Sequence, residues 1–208
     1  MLDVYITPLI KPLLIPIVKQ LSRWQLTPNQ LTVVGFAIGM LALPLLAFEY
    51  YYAALVMIIL NRILDGLDGA LARWQNSSSA AGGYLDISLD FLFYAAVPLG
   101  FALANPEQNA LAAAVLLASF IGTASSFLAF AIPAERYQLT RPQFAHKSFY
   151  YLHGLTEGSE TILLFIAFCL WPQHFVILAL VFAAAACITI ITRVIGGFNT
   201  LKQFDHVE

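Results

Sequence analysis

Six apolar runs, at roughly 31–48, 53–74, 83–104, 110–133, 157–171 and 175–195, fill nearly everything after residue 31. Each holds about 15 to 24 residues, near the roughly 20 that an α-helix needs to cross a bilayer's hydrocarbon core. A backbone in lipid has no water to bond, so spans of this length are helices. With 60% hydrophobic and 11% charged residues and a mean hydropathy of +0.79, the chain reads as all-α, a polytopic membrane protein with six transmembrane helices. The fifth run is short, so it is expected to tilt or to borrow length from its flanks. No room is left for a second, soluble domain. Residues 1–208 are expected to form one membrane domain, with 1–25 as an interfacial segment and 27–200 as a six-helix bundle.

The interfacial segment carries Lys11, Lys19 and Arg23 at multiples of four, with Leu13, Leu14, Ile17, Val18 and Leu21 between them. That is an amphipathic face, and Pro8, Pro12 and Pro16 confine its helix to the stretch from about Pro12 onward. The start M-L-D-V-Y has no basic n-region and no small-residue cleavage site, so no signal peptide is expected and the first span is its own insertion signal. Thr27 and Pro28 read as an N-cap followed by proline at the first helical position. Gly35 and Gly39 form a G-x3-G, which marks close helix packing. Cys169 and Cys187 lie in apolar runs without a C-x-x-C or His-spaced partner and read as packing residues.

All ten Lys and Arg residues fall on one side of a six-span topology. The loops near Glu49, Glu107 and Gln173 contain none. Both termini are therefore expected in the cytoplasm. A net charge of −2 without a basic block argues against a nucleic-acid partner.

Four carboxylates, Asp65, Asp68, Asp86 and Asp90, sit at the margins of the second and third runs, where an uncompensated charge costs several kcal/mol. Asp65 and Asp68 are three apart and Asp86 and Asp90 four apart, so each pair shares one helix face. Two helices joined by a short loop can converge all four on one point. Cations make such an arrangement affordable, and hard oxygen ligands suit Mg²⁺, Mn²⁺ or Ca²⁺ rather than zinc. Two divalent ions about 3.5–4 Å apart would clamp a phosphoryl group. Gly66, Gly69 and Arg73 give the same helix a bare strip ending in a guanidinium, which fits a pyrophosphate. Asn61 and Arg62 precede Asp65 on that helix and are expected to hold the aspartates in place, with pairing to an Asp or Glu as the alternative.

The composite pattern D-x2-D-G-x2-A-R-x8-G-x3-D-x3-D resembles the signature of the CDP-alcohol phosphotransferases, integral membrane enzymes of phospholipid synthesis. Asp65, Asp68, Gly69, Ala72, Arg73, Gly82, Asp86 and Asp90 fill every position. The resemblance implies attack of an alcohol on the β-phosphoryl of a CDP-alcohol, with release of CMP. It implies CDP-diacylglycerol as the donor, from the bacterial members. Asp65, Asp68 and Asp86 would be metal ligands for two Mg²⁺ or Mn²⁺ ions, with Ca²⁺ a further ion able to bind and to inhibit. Asp90 would take the hydroxyl proton and could also touch a metal, and the neighbouring cations would keep it ionised. Gly69, Ala72, Arg73 and Gly82 would accommodate the cytidine diphosphate. The stretch T-P-N-Q-L-T-V-V-G resembles the family's first membrane helix, which makes Asn29 and Thr32 candidates to reach the site; capping is the alternative for Asn29. The family also implies a homodimer; the one-sided Lys and Arg distribution puts the Asp cluster at the cytoplasmic face, and the chain is expected among the lipids of a bacterial inner membrane.

The acceptor alcohol is open. The polar interruption 135–160 holds Arg136, Arg141, His146, Lys147, His153, Glu157 and Glu160. Its G-L-T-E-G-S-E resembles the G-P-T-E-G of eukaryotic choline and ethanolamine phosphotransferases, departing from it at Leu155. Glu157 and Glu160 would repel a phosphorylated acceptor and favour an amine-bearing or neutral alcohol, with helix-dipole compensation as the bland alternative. Convergence of two of Arg136, Arg141, Lys147 and Arg193 would build a phosphate pocket instead. Three readings compete with phosphatidyl transfer to an alcohol. One is transfer from a soluble CDP-amino alcohol to diacylglycerol. Another is an Asp-rich prenyltransferase, which would need two motifs and more helices. The third is a divalent-cation transporter, which would be expected to repeat the motif in a second half.

Overall fold

Caps and prolines cut the apolar sequence into helices close to where the runs begin and end. The computed structural model describes residues 14–136 and 155–203, and these are helical with no strand among the described residues. Helix α1 covers 14–23 and is followed by α2 (Pro28–Met40), α3 (Ala42–Ala47), α4 (Tyr51–Trp74), α5 (Ala80–Ala104) and α6 (Pro106–Arg136). After the undescribed stretch come α7 (Gly158–Leu170), a single 3₁₀ turn (Pro172–His174) and α8 (Phe175–Lys202).

Four stretches are long and apolar enough to cross a membrane: Pro28–Ala47, Ala80–Ala104, Pro106–Glu135 and Pro172–Lys202. Helix α4 has the length, at 24 residues, but Arg62, Asp65, Asp68 and Arg73 interrupt its apolar character. Helix α7 is apolar but only 13 residues long.

The cap at Thr27 forms as expected and goes further. Thr27 Oγ1 accepts from the Gln30 N–H at 3.3 Å, while Gln30 Oε1 accepts from the Thr27 N–H at 2.9 Å, a reciprocal capping box. The first apolar run does not form one helix: it breaks at Leu41, between α2 and α3. Pro44 has no N–H to give the carbonyl four residues back, so the ladder cannot continue unbroken through Met40. Helix α4 ends at Trp74; two residues on, Asn76 has a φ of 50° in the left-handed region, and the Ser77 N–H bonds back to the Ala72 carbonyl at 2.9 Å. That cap turns the chain sharply, so that α5 can begin at Ala80 behind the Ser79 N-cap.

Helices α2 and α3 pack against both α4 and α5, α6 runs along α8, and α7 lies against α4. Lipid tails are as apolar as leucine, so the bundle relies on close fit rather than on exclusion from water. The expected G-x3-G fit is present. Gly35 and Gly39 are buried; a Cβ on Gly35 would stand 3.0 Å from Leu64 Cβ, and one on Gly39 would stand 2.9 Å from both Asn61 Nδ2 and Phe93 Cδ2. At the opposite end of the bundle, Phe101 stacks on Phe175 at 4.6 Å and Phe168 meets Phe175 edge-on at 4.7 Å. In α1, Val18 is buried in a cluster with Leu31, Leu67 and Leu71, and the Lys19 ammonium lies 5.6 Å from the Trp74 ring centre. Cys169 is buried, as a packing residue should be, whereas Cys187 is exposed.

The same substitution should have opposite signs at two helical glycines. A Cβ on Gly100 would lie 2.7 Å from Leu46 Cβ and 3.2 Å from the Leu43 carbonyl, so Gly100→Ala must push α5 off α3 and should destabilise by about 1–3 kcal/mol. A Cβ on Gly196 would meet nothing within 4 Å, so Gly196→Ala should stabilise by roughly 0.5–1 kcal/mol through helix propensity alone. Thermal unfolding of the two variants in detergent checks this; equal shifts would be inconsistent with the α3–α5 contact.

Candidate active site

The acids come together because two antiparallel helices carry them at matching depth. Asp68 stands six residues before the end of α4 and Asp86 six residues after the start of α5. At 1.5 Å per residue, each is about 9 Å inside its helix end. The glycines of α2 let α4 approach closely on one side. Thr32, Asn61, Asp65, Asp68, Asp86 and Asp90 then line one small cavity.

Asp65, Asp68 and Asp86 each offer a carboxylate oxygen, and these oxygens all lie within 4.8 Å of one another. Oxygens sharing a divalent ion at about 2.0–2.6 Å stand up to roughly 4–5 Å apart, so the spacing is one that a hard cation can bridge. Asp86 Oδ1 is buried and accepts no hydrogen bond from the described residues, which leaves a lone pair directed into the bundle without a proton donor. The donor set is all carboxylate, with no His or Cys ligand in the group. These residues therefore fit one or two hard divalent ions.

Asp90 lines the same cavity but lies outside that group of three. Its Oδ2 is 3.9 Å from Arg62 Nη1, and the Arg62 guanidinium pairs with Asp65 through Nη2. Thr32 donates to Asp68 Oδ2 at 2.6 Å, so a residue flagged by its position on α2 does reach the acids. Asn61 is buried and donates from Nδ2 to the Gly35 carbonyl at 3.1 Å, tying α4 to α2 just beneath Asp65.

The glycine strip of α4 is bare, as its sequence implied. A Cβ on Gly66 would meet nothing within 4 Å, and one on Gly69 would meet only the Arg73 guanidinium, nearest at 3.3 Å. Arg73 is exposed and Ala72 half-buried. A Cβ on Gly82 would lie 3.1 Å from Asn29 Oδ1 and 3.2 Å from Ser79 Oγ, so Asn29 and Gly82 face each other across α2 and α5. Asn29 precedes Thr32 by one turn and Gly82 precedes Asp86 by one turn. The pair thus forms a layer nearer the helix ends than the acids.

On the other flank, Glu157 is buried as the N-cap residue of α7 and Glu160 follows in its first turn. Arg141 and Lys147, the other acceptor candidates, lie outside the described residues. Two groups that sequence reasoning passed over organise this flank. The Tyr94 hydroxyl accepts from Arg62 Nη1 at 3.2 Å and would be 3.5 Å from a Cβ on Gly158, so it links α4, α5 and the start of α7. Thr189 Oγ1 accepts from the N–H groups of Leu155 and Thr156, at 3.0 and 3.3 Å, and so holds the entry to α7 against α8. One turn further, Arg193 is buried inside the bundle rather than in a tail, bonded to the Thr123 carbonyl at 3.3 Å. The spacing offered signals for both: Tyr94 is i+4 from Asp90, and Thr189 and Arg193 are i, i+4 within the last apolar run.

Comparison with known proteins places this geometry. The family model for CDP-alcohol phosphatidyltransferase matches residues 25–191. The chain is 61% identical over 206 residues to the inner membrane protein YnjF of Escherichia coli K12, covering 99% of this chain and 100% of that one. It is 40% identical over 102 residues to the archaetidylinositol phosphate synthase of Pyrococcus horikoshii, covering 47% and 52% of the two chains. Its fold matches the phosphatidylinositol phosphate synthase PgsA1 of Mycobacterium tuberculosis, solved with CDP-DAG bound, at a TM-score of 0.71 and 21% identity over 88% of this chain and 92% of that one. The same enzyme in complex with manganese and citrate gives 0.70 at 22% identity, covering 88% of each chain. The family match decides between enzyme and transporter, and the chain belongs to the CDP-alcohol phosphatidyltransferases, membrane enzymes of phospholipid biosynthesis that transfer phosphatidyl groups.

Proposed function

We propose that the protein transfers a phosphatidyl group from CDP-diacylglycerol, or another CDP-alcohol, to an alcohol acceptor and releases CMP, in a reaction that requires divalent metal. The observation that carries this reading is the meeting of Asp65, Asp68 and Asp86 within 4.8 Å in a family that acts on CDP-alcohols. A structural neighbour of the same fold, solved in complex with manganese, is consistent with a metal requirement. Asp65, Asp68 and Asp86, with Asp90 lining the same cavity, would hold two Mg²⁺ or Mn²⁺ ions. When bound, such ions supply positive charge to the phosphoryl oxygens and to the developing alkoxide.

The chain's own residues do the rest. Gly66 and Gly69 leave room for the pyrophosphate along α4, and Arg73 takes its oxygens with a planar fork. Asn29, Ala72 and Gly82 accommodate the cytidine end in the layer above the acids. Asp90 takes the proton of the attacking hydroxyl; standing apart from the three closely grouped acids, it keeps an oxygen free for that transfer. The acyl chains stay in lipid while the charged groups enter at the mouth of the bundle.

The topology belongs to the same reading. Helices α2 with α3, α4, α5, α6, α7 and α8 make six spans, α1 lies in the interface, and both termini and the site face the cytoplasm, supported by the one-sided Lys and Arg distribution. The chain works as a homodimer in a bacterial inner membrane. For the acceptor, Glu157 and Glu160 favoured a neutral or amine-bearing alcohol. The relative named as an archaetidylinositol phosphate synthase favours a phosphorylated polyol, which is the first acceptor to test. Purified protein with CDP-diacylglycerol should release CMP in Mn²⁺ or Mg²⁺ with one of inositol phosphate, glycerol 3-phosphate, glycerol or an amino alcohol, and should stop in EDTA. No CMP from any acceptor would refute the assignment.

Two variants separate the roles. Asp90→Asn removes the proton acceptor at constant volume and should lower kcat by about 10²–10⁴-fold while Mn²⁺ still binds; full turnover would take Asp90 out of the chemistry, and loss of Mn²⁺ would make it chiefly a ligand. Gly69→Leu fills the strip beneath Arg73, so affinity for CDP or CDP-diacylglycerol should fall by about tenfold or more, a loss of at least ~1.4 kcal/mol. Unchanged nucleotide affinity in that variant would assign the strip to something else.

A further inference from the structure

We propose that Arg62 is a built-in counter-cation: it holds the carboxylate cluster together before metal arrives, and by the same charge it sets how tightly metal binds. The proposal rests on the reading that these aspartates bind divalent ions. Arg62 belongs to none of the signature positions, yet of the cationic side chains described it is the one seated among the acids. Its Nη2 pairs with Asp65, and its Nη1 stands 3.9 Å from Asp90 Oδ2 and donates to the Tyr94 hydroxyl at 3.2 Å. Tyr94 is itself fixed, its ring edge-on to the buried Phe165 at 6.0 Å. The guanidinium is therefore clamped between an acid of α4, an acid of α5 and a ring that belongs to the core. Arg73, the other arginine of α4, points elsewhere and lies along Gly69.

Four carboxylates in an apolar bundle repel one another, and without a cation the α4 and α5 faces would be driven apart. Arg62 bridges those two faces. Once divalent ions neutralise the acids, the same guanidinium is a like charge beside them and weakens their binding. Its stabilising effect should consequently be large in the metal-free protein and shrink once metal is bound. A residue that merely fills space would shift both states alike.

The test compares full-length wild type, Arg62→Gln and Arg62→Lys in detergent, stripped with EDTA and then titrated with Mn²⁺, reading thermal unfolding and Mn²⁺ affinity rather than activity. Arg62→Gln should unfold at lower temperature than wild type in EDTA, recover most of the difference in saturating Mn²⁺, and bind Mn²⁺ about tenfold tighter. Arg62→Lys keeps the charge and should stay near wild type in both measurements. Equal destabilisation of Arg62→Gln with and without Mn²⁺ at unchanged affinity would overturn the proposal, as would failure of that variant to fold even in Mn²⁺, since the ions should replace the missing charge. Arg62→Lys behaving like Arg62→Gln would also overturn it, because fork geometry and not charge would then be at work. Absence of any Mn²⁺ effect in wild type is a different result: it removes the metal reading itself and this proposal with it.

Discussion

Charge has to be compensated wherever water is excluded, and in this protein that requirement organises the half of the bundle that carries the aspartates. Asp65, Asp68, Asp86 and Asp90 lie within helices whose other residues are overwhelmingly apolar. A carboxylate there needs a partner, and the partners present come from different elements: Thr32 of α2 for Asp68, and Arg62 of α4 for Asp65 with Asp90 close by. The Thr32–Asp68 and Arg62–Asp90 contacts each tie two helices together, so the polar cluster contributes to the packing of α2, α4 and α5. What remains uncompensated is also informative. The buried Asp86 Oδ1 accepts no hydrogen bond from the described residues, and it belongs to the group whose oxygens lie within 4.8 Å. A site built to receive cations must leave some of its acceptors open.

The backbone makes that arrangement possible by ending helices at the right depth. The Thr27–Gln30 capping box starts α2, the left-handed Asn76 stops α4, and Ser79 opens α5 by accepting from the Gly82 N–H at 3.0 Å. The turn between α4 and α5 is therefore short, and the two acid-bearing segments return to the same level. Gly35 and Gly39 then allow α2 to approach α4 closely enough for Thr32 to reach Asp68. Aromatic packing among Phe101, Phe168 and Phe175 closes the far end, where no charge has to be accommodated.

The flank formed by α7 and α8 is held by different chemistry. Thr189 gathers two backbone N–H groups at the entry to α7, and Tyr94 stands between that entry and Arg62. Tyr94 and Arg62 thus connect the start of α7 to Asp65 and Asp90.

Much of this was legible in the residues alone, because local rules fix it. Runs near 20 apolar residues become helices in lipid, Thr27-Pro28 caps one of them, and the i, i+3 and i, i+4 spacings put each pair of aspartates on one face. The bare strip from Gly66 to Arg73 follows from glycine having no side chain, whatever surrounds it. Tertiary structure decided what depends on distance between elements. It drew three acids together and left Asp90 outside that group near Arg62, a partition that the i, i+3 and i, i+4 spacings do not contain. It also brought in Tyr94, Thr189 and Arg193, whose i, i+4 relations say which face they share but not which neighbour that face meets. Sequence periodicity specifies the direction of a side chain around its own helix axis, whereas the identity of its partner depends on how the helices cross, and that is set by the glycine contacts and caps acting together.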